Sequence, residues 1–577
     1  MNYEQARAYA VNVSRSGSIL GLVSIENLMH ELGDIQEQLK IIHIAGTNGK
    51  GSTGAYLERV LIEAGYRVGR YSSPAVFDPM EVWRINLQSM SHEEYADIME
   101  QVKCACDRMV EKGMEHPTIF EVETAMAFLY FYQKKCDYVL LEVGMGGRTD
   151  ATNLIRKPVC SVITSVSMDH MQFLGNTLTE IAQAKAGIIK KDCPVVTIMQ
   201  KAEAMEAIKA EAEKQHARLS VADVSKVSVE NDTLSEIKFG YPGLGTVKTR
   251  LTGTYQVENC CLAVTVLKEI LGIADRIIID GIKNTVWPGR LEVIGEQPLF
   301  IIDGAHNEDA ALQLSASVEK YFTNIPITYI IGVLADKEHK KVLEAMLPYA
   351  GAVFTVTPDN PRAMRAEELA SEAEKIVDYL WKEKAGRPEK AQGAGNSPQG
   401  AENSPQGAGV MGSLPKVRAC SSMKEAVQLA LEHTKKDGVI LATGGFANSP
   451  ELVKQFHPYL AGTPSLGSKL NTGDGIIAAL NLGANMIIET NGFGMNMLFV
   501  GTHKGQSMGL PMTEAPLIVV GKNGKRFEDE SKGYLAACHK MTERKIKLAD
   551  WIFDEKTYQK FRNGCLKPMF ETEVVNK

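Results

Sequence analysis

A chain of 577 residues is long enough for three or four domains with large cores. Its net charge of −7 gives no basic footprint for nucleic acid, and no apolar run reaches the roughly 18 residues of a membrane span. The ten cysteines have neither zinc-site nor C-x-x-C spacing and Met1-Asn2-Tyr3-Glu4-Gln5 carries no signal pattern, so the expectation is a cytoplasmic protein with reduced thiols and no nucleic-acid or membrane partner; a monomer is expected besides.

In chain order, the first informative element is an apolar run, Leu39 to Ile44, followed by Ala45-Gly46-Thr47-Asn48-Gly49-Lys50-Gly51-Ser52-Thr53 and a helix-like segment from Gly54 to Ala64. Glycines at 46, 49 and 51 let backbone N–H groups converge on an anion at a helix start. Lys50 is placed to reach terminal phosphates, and the hydroxyl of Ser52 or Thr53 can face magnesium. The spacing departs from G-x4-G-K-[ST], because only two residues separate Gly46 from Gly49 and Gly51 precedes the hydroxyl. Short apolar runs then alternate with helical patterns over the first ~290 residues, which argues for a parallel α/β domain. Its clearest strands are Tyr138 to Glu142 and Val159 to Val166. Glu142 ends a buried strand, where its hard oxygens suit magnesium.

A second α/β unit begins near Leu299, with strands Leu299 to Ile302, Thr328 to Gly332, Ala352 to Thr357 and Gly438 to Thr443. Between its last helices, Lys384 to Pro415 holds the tandem copies Asn396 to Ala401 and Asn403 to Ala408. Pro, Gly, Ser, Gln and Asn dominate there, and such a composition buries too little apolar surface to offset its ordering entropy, so a disordered insertion is expected. Gly407 to Gly412 forms a formal G-x-G-x-x-G, but flanking Pro405 and Pro415 deny it the strand and helix a dinucleotide site needs.

Eight segments in sequence order resemble the Mur ligase superfamily, and within it the folylpolyglutamate and dihydrofolate synthases, over about 1–445. They are Gly46 to Ser52, Tyr71-Ser72-Ser73-Pro74, Leu141 to Asn153, Asp169-His170, Lys185 to Lys190, Pro288-Gly289-Arg290, Asp303 to Asn307 and Pro361-Arg362-Ala363. The resemblance implies an α/β fold with a Mur-ligase-type P-loop ATPase domain at 1–295 and a smaller Rossmann-like glutamate-ligase domain at 296–445. It implies a ligase that joins L-glutamate to tetrahydrofolate (poly)glutamates through an acyl phosphate, with release of ADP and phosphate. The substrates are then tetrahydrofolate, L-glutamate and ATP, with one or two magnesium ions. Dihydropteroate is the alternative acceptor.

Carried over residue by residue, Gly49, Lys50, Gly51 and Ser52 cradle the phosphates, and Asn259, Arg290 and Asp303 contact the nucleotide. Ser73, Glu142 and His170 complete the metal shells, and His306 lies near the incoming glutamate. The lysine matching Lys185 is carbamylated in the family and becomes a carboxylate-like ligand, whereas the residues alone read it as an ordinary helix-face lysine. Asp336-Lys337 is a further candidate for the same cleft, and Arg362 is a candidate for binding a carboxylate, with a solvated loop arginine as the alternative. Ala75 and Tyr255 replace histidines usual in the family, and the Ala75 to Glu81 loop departs from the pattern tied to pterin binding. From about residue 443 the chain leaves the ligase pattern. Ala442-Thr443-Gly444-Gly445-Phe446 and Gly524-Lys525-Arg526-Phe527 resemble the flavin-binding fumarate reductase and flavocytochrome group. The 446–577 tail lacks a pyrophosphate fingerprint and the group's proton-donating arginine, so it reads as an incomplete α+β fragment without FAD; the contrary reading is a flavin-dependent reductase.

Overall fold

Runs of apolar and β-branched residues bounded by glycine or charged turns become strands, and the amphipathic segments between them become covering helices. In this computed structural model, residues 1–14, 21–75, 78–335, 338–360, 362–385, 414–444 and four short strands beyond are described. Strands β1 (Ile41–Ala45), β2 (Val68–Tyr71), β3 (Trp83–Ile85), β4 (Gln88–Ser89), β5 (Tyr138–Glu142), β6 (Cys160–Ile163), β7 (Val195–Ile198) and β8 (Leu219–Ala222) form one sheet. Its order is β4-β3-β2-β5-β1-β6-β7-β8, parallel from β2 to β8 with β3 and β4 antiparallel at one edge. All five residues of β1 are buried, as a central parallel strand covered on both faces requires.

One face is covered by α1 (Tyr3–Ser14), α2 (Val23–Glu31), α4 (His92–Glu111) and α5 (Ile119–Gln133), and α3 (Lys50–Glu63) lies on the other. With α3 pack α9 (Gln256–Thr265) and α10 (Asp275–Lys283), while α6 (Met171–Leu174), α7 (Leu178–Ala186) and α8 (Ala202–Lys214) cover the far end of the sheet. Helices α4, α5 and α7 start with reciprocal capping boxes, Ser91 with Glu94, Thr118 with Glu121 and Thr177 with Glu180. Helix α3 starts at Lys50 itself, ahead of the expected Gly54, so the loop lysine opens the helix. An unforeseen antiparallel sheet of β9 (Ser228–Asp232), β10 (Ile237–Tyr241) and β11 (Gly245–Thr249) packs beside this domain. Its edge strand β9 is almost wholly exposed, so it has no apolar face for periodicity to reveal.

The second sheet contains β12 (Glu292–Glu296), β13 (Leu299–Ile302), β14 (Ile327–Gly332), β15 (Ala350–Thr355), β16 (Lys416–Ala419) and β17 (Val439–Gly444), ordered β12-β13-β17-β14-β15-β16. Only β12 is antiparallel, and it carries the sheet's start ahead of residue 295. Helices α11 (Glu308–Tyr321), α12 (His339–Met346) and α13 (Ala366–Ala385) bury one face, and α14 (Met423–His433) the other. Of the expected insertion, 386–413 lies outside the described residues, with both tandem copies and the formal glycine motif. Residues 462–577 form a separate compact unit. Within it β18 (Leu498–Val500) pairs with β19 (Ser507–Gly509), and β20 (Leu517–Gly521) with β21 (Ala549–Phe553). The turn after Gly444, the helix-like Ile476 to Leu480 and Gly524 to Phe527 lie outside the described residues. Of the close cysteine pairs, Cys106, Cys260 and Cys261 are buried, whereas Cys104 is exposed.

One core carboxylate makes a testable stability statement. Burial pushes the Glu123 carboxyl up from 4.5 to about 7, with Arg7 pulling the other way. The folded state therefore holds a proton that the unfolded chain releases, and stability falls as pH rises through that interval. Glu123→Gln is expected to gain up to about 3 kcal/mol at pH ~8 and nothing near pH ~4, read as melting temperatures at the two pH values.

Candidate active site

The carboxyl ends of four neighbouring strands supply the first domain's candidate residues. The loop after β1 carries Lys50, β5 ends in Glu142, Ser73 follows β2, and His170 follows β6. Register brings them to one edge: Ile44 pairs with Glu142, Tyr71 with Leu141 and Ala45 with Ile163. This is where an open α/β sheet places its ligands.

The phosphate loop is held from beneath. Thr47 N–H donates to Ser165 O at 2.7 Å, its hydroxyl donates to Ser167 O at 3.0 Å, and Thr164 Oγ1 donates to Asn48 O at 2.6 Å. Gly46 has φ 151° and a Cβ there would stand 1.8 Å from Thr164 Oγ1; Gly49 has φ 86° and its Cβ would meet Asn259 Oδ1 at 2.3 Å. Gly46→Ala is therefore expected to destabilise the protein and abolish turnover. Gly65→Ala, at φ 87° with nothing within 4 Å, should cost only about 1–2 kcal/mol and leave turnover intact. Thermal melts with parallel ADP-release assays check the pair.

Lys50 Nζ donates to the carbonyls of Gly46 at 3.1 Å and Thr47 at 3.2 Å. Lys185 is no solvated helix-face lysine: it is 3 % exposed and donates to the same Gly46 carbonyl at 3.0 Å. Ser52 is buried and accepts from Gln256 Nε2 at 3.2 Å, and Gln256 Oε1 accepts from Asn259 at 3.3 Å, so α9 braces the loop. Glu142 faces Lys50, Arg70 and Arg290, yet burial outweighs all three and pushes its carboxyl up. Among the described residues no protein donor bonds this carboxylate. A half-buried acid with no protein donor, facing three cations, has the chemistry of a magnesium ligand. No three His, Cys, Asp or Glu side chains gather as a metal group among the described residues.

His43, buried on β1, donates from Nε2 to Thr152 Oγ1 at 2.9 Å, because the Thr152 hydroxyl donates onward to Asp150 Oδ1 at 2.6 Å. Asp150 Oδ2 in turn accepts from Met145 N at 2.8 Å, which fixes the glycine-rich turn after Glu142. Burial pushes His43 down to about 3, so this imidazole is neutral in the working range.

The second domain meets this edge directly. Asp303, 3 % exposed, accepts from the N–H groups of Leu291 and Ala305, each at 2.8 Å, and from the Tyr255 hydroxyl at 3.1 Å. Both its oxygens thus hold the turn together, and Tyr255, noted in the sequence only as a departure, ties α9 to it. Arg290 acts electrostatically on both Asp303 and Glu142 and donates to Gly289 O at 2.9 Å. His306 is exposed; its Nδ1 bonds Gly304 O at 2.8 Å, which places the neutral ring's lone pair on Nε2. Asn48 Nδ2 donates to Asn307 Oδ1 at 3.2 Å and to Asp309 Oδ2 at 2.8 Å, and Asn307 Nδ2 returns bonds to Asn48 Oδ1 and Asp169 Oδ2. His170, at φ 51°, sits 3.7 Å from Asp169 Oδ2 beside this clasp. Sequence reasoning missed Asn48, Asn307 and Asp309 as domain links, although two of them lie inside its motifs. Arg362 is exposed, and Asp336-Lys337 lies outside the described residues.

Comparison with known proteins fits this arrangement. The Mur ligase middle domain matches residues 44–267, and the Mur ligase glutamate ligase domain matches 289–446. The FAD binding domain matches 414–562. The two last matches overlap at 414–446, and there β16, α14 and β17 are built into the ligase sheet, with β17 between β13 and β14. The chain is 35 % identical over 392 residues to the dihydrofolate synthase/folylpolyglutamate synthase of Bacillus subtilis, covering 66 % of this chain and 91 % of that one. It is 34 % identical to the folylpolyglutamate synthase of Lacticaseibacillus casei, over 63 % of this chain and 87 % of the relative. The Mycobacterium tuberculosis folylpolyglutamate synthase complexed with ADP and AMPPCP superposes with a TM-score of 0.66 at 25 % identity, covering 79 % of this chain and 99 % of that structure. The chain belongs to the dihydrofolate synthase/folylpolyglutamate synthase family of Mur-type ligases.

Proposed function

We propose that the chain adds L-glutamate to tetrahydrofolate (poly)glutamates at the cost of ATP. The observation that carries this is the meeting of Lys50, Glu142 and Arg290 at the edge where the two α/β sheets are clasped. A carboxylate is a poor electrophile, so the site's task is to supply cations and alignment rather than a covalent nucleophile. Lys50, the Gly49 to Ser52 backbone and Arg290 draw charge from the β- and γ-phosphates as a folate carboxylate oxygen attacks the γ-phosphorus. The bond to the β,γ-bridging oxygen breaks and ADP leaves. The glutamate amine then attacks the acyl carbon, phosphate departs with the electron pair of the broken C–O bond, and His306 Nε2 takes the amine proton. Glu142, with Ser73 and His170, would hold magnesium, which supplies charge neutralisation when bound. Lys185 shares the Gly46 carbonyl with Lys50 and helps to hold the loop.

Supplying purified protein with tetrahydrofolate and with dihydropteroate separately, each with ATP and glutamate, tests the acceptor through ADP release. Turnover with tetrahydrofolate is expected; turnover with dihydropteroate alone would make the chain a dihydrofolate synthase. The tail adds no flavin chemistry in this reading. A chain ended just after Gly444 should keep the ligase rate, and the full chain should purify colourless. A stoichiometric flavin absorption band would overturn that part.

A further inference from the structure

The connection between the domains, from Thr285 to Arg290, links α10 to β12 and carries Trp287. The Trp287 ring lies on the Arg70 guanidinium, with Cζ 4.0 Å from the ring centroid, and Arg84 approaches the same ring at 5.1 Å. Arg70 is 2 % exposed. Its Nη1 donates to Glu58 Oε2 at 3.0 Å, and its Nη2 donates to the Gly51 carbonyl of the phosphate loop at 2.7 Å. Glu58 is fully buried and also accepts from Arg84 at 2.9 Å. Gly51 is itself against the indole, since a Cβ there would stand 2.8 Å from Trp287 Nε1. Trp287 therefore touches both the loop glycine and the arginine that grips it. Two guanidiniums and one carboxylate are taken out of water here, an arrangement that costs stability unless its geometry is needed. The planar fork, with one nitrogen on Glu58, one on Gly51 and a face on indole, is one that a lysine cannot reproduce. Arg70 also acts electrostatically on Glu142, and Arg290, three residues beyond Trp287, does the same.

We propose that Arg70 and Trp287 are positioning residues that couple the interdomain connection to the phosphate loop, so that the seat of the second domain and the grip on the ATP phosphates are set together. The proposal rests on the ATP-ligase reading and extends it to residues with no contact role in the chemistry. Coupling is reciprocal: a nucleotide that orders the loop must also restrain Trp287, and loosening Trp287 must weaken the nucleotide.

The test uses the full chain, with magnesium-ADP binding by calorimetry, the KM values of all three substrates, and acrylamide quenching of the fluorescence that Trp287→Phe removes. Trp287→Leu and Arg70→Lys should raise the Kd for ADP and the KM for ATP about tenfold, while the KM values for folate and glutamate stay within about twofold. Trp287→Phe, which keeps an aromatic face, should stay close to wild type. Magnesium-ADP should lower the acrylamide quenching of Trp287 in the unaltered protein, a readout that does not depend on any variant folding. Wild-type nucleotide affinity in folded Trp287→Leu, an equal loss for all three substrates, or quenching unmoved by ADP would each overturn the coupling. Failure of the unaltered protein to bind magnesium-ADP would overturn the ligase reading and the coupling with it, whereas wild-type binding with indifferent variants overturns the coupling alone.

Discussion

Lys50→Ala is expected to lose ATP-dependent glutamate addition by a factor of about 10²–10³ or more, the usual effect of removing one preorganised charge from a transferring group. The fold should survive. Among the described residues the Lys50 ammonium bonds only the Gly46 and Thr47 carbonyls of its own loop, and Lys185 still donates to Gly46 after the change. ADP release under saturating substrates, with a melting curve beside it, separates the two outcomes. Near-normal turnover in the folded variant would show that this loop is not the catalytic phosphate site.

Glu142→Gln should act with opposite signs on stability and on rate. Burial pushes the Glu142 carboxyl up, so ionising it costs the folded state more than the unfolded chain. A group whose folded pKa is raised loses stability as pH rises from its unfolded value through its folded one, and the amide escapes that loss. The variant is therefore expected to melt no lower than the parent at neutral pH and above. Its turnover should nevertheless fall by about 10²-fold, because the amide lacks the charge that magnesium requires, and high magnesium should restore part of it. Unchanged rate with unchanged magnesium dependence would make Glu142 a purely structural acid.

Much of the site was legible because its elements are local. Gly46, Gly49, Lys50 and Ser52 lie within seven residues, and a strand–loop–helix with glycines at those positions needs no distant contact to announce an anion site. The same holds for Glu142 at the end of Tyr138–Glu142 and for Asp303 after Leu299–Ile302, where an apolar run stops at an acid. Elements with one clear apolar face or a fully buried run were readable for the same reason. Strand β9, exposed along most of its length, and β12, which begins and ends in glutamate, were not, because tertiary pairing rather than pattern makes them strands.

What the tertiary structure decided is which side chains the site residues lean on. Lys185 looks like one more helix lysine until the fold buries it against Gly46, 139 residues away. Asn48 reaches Asn307 and Asp309 across 259 and 261 residues, and Tyr255 reaches Asp303 across 48. Trp287, a single aromatic in a connecting segment, becomes a contact of the phosphate loop only once β2 and β3 bring Arg70 and Arg84 beneath it. Chain order determined the loop, the acids and the family, because backbone conformation and strand burial are short-range properties of sequence. The clasp between domains and the environment of each charge arise from long-range packing, where burial and partner geometry set the energies and no local spacing encodes them.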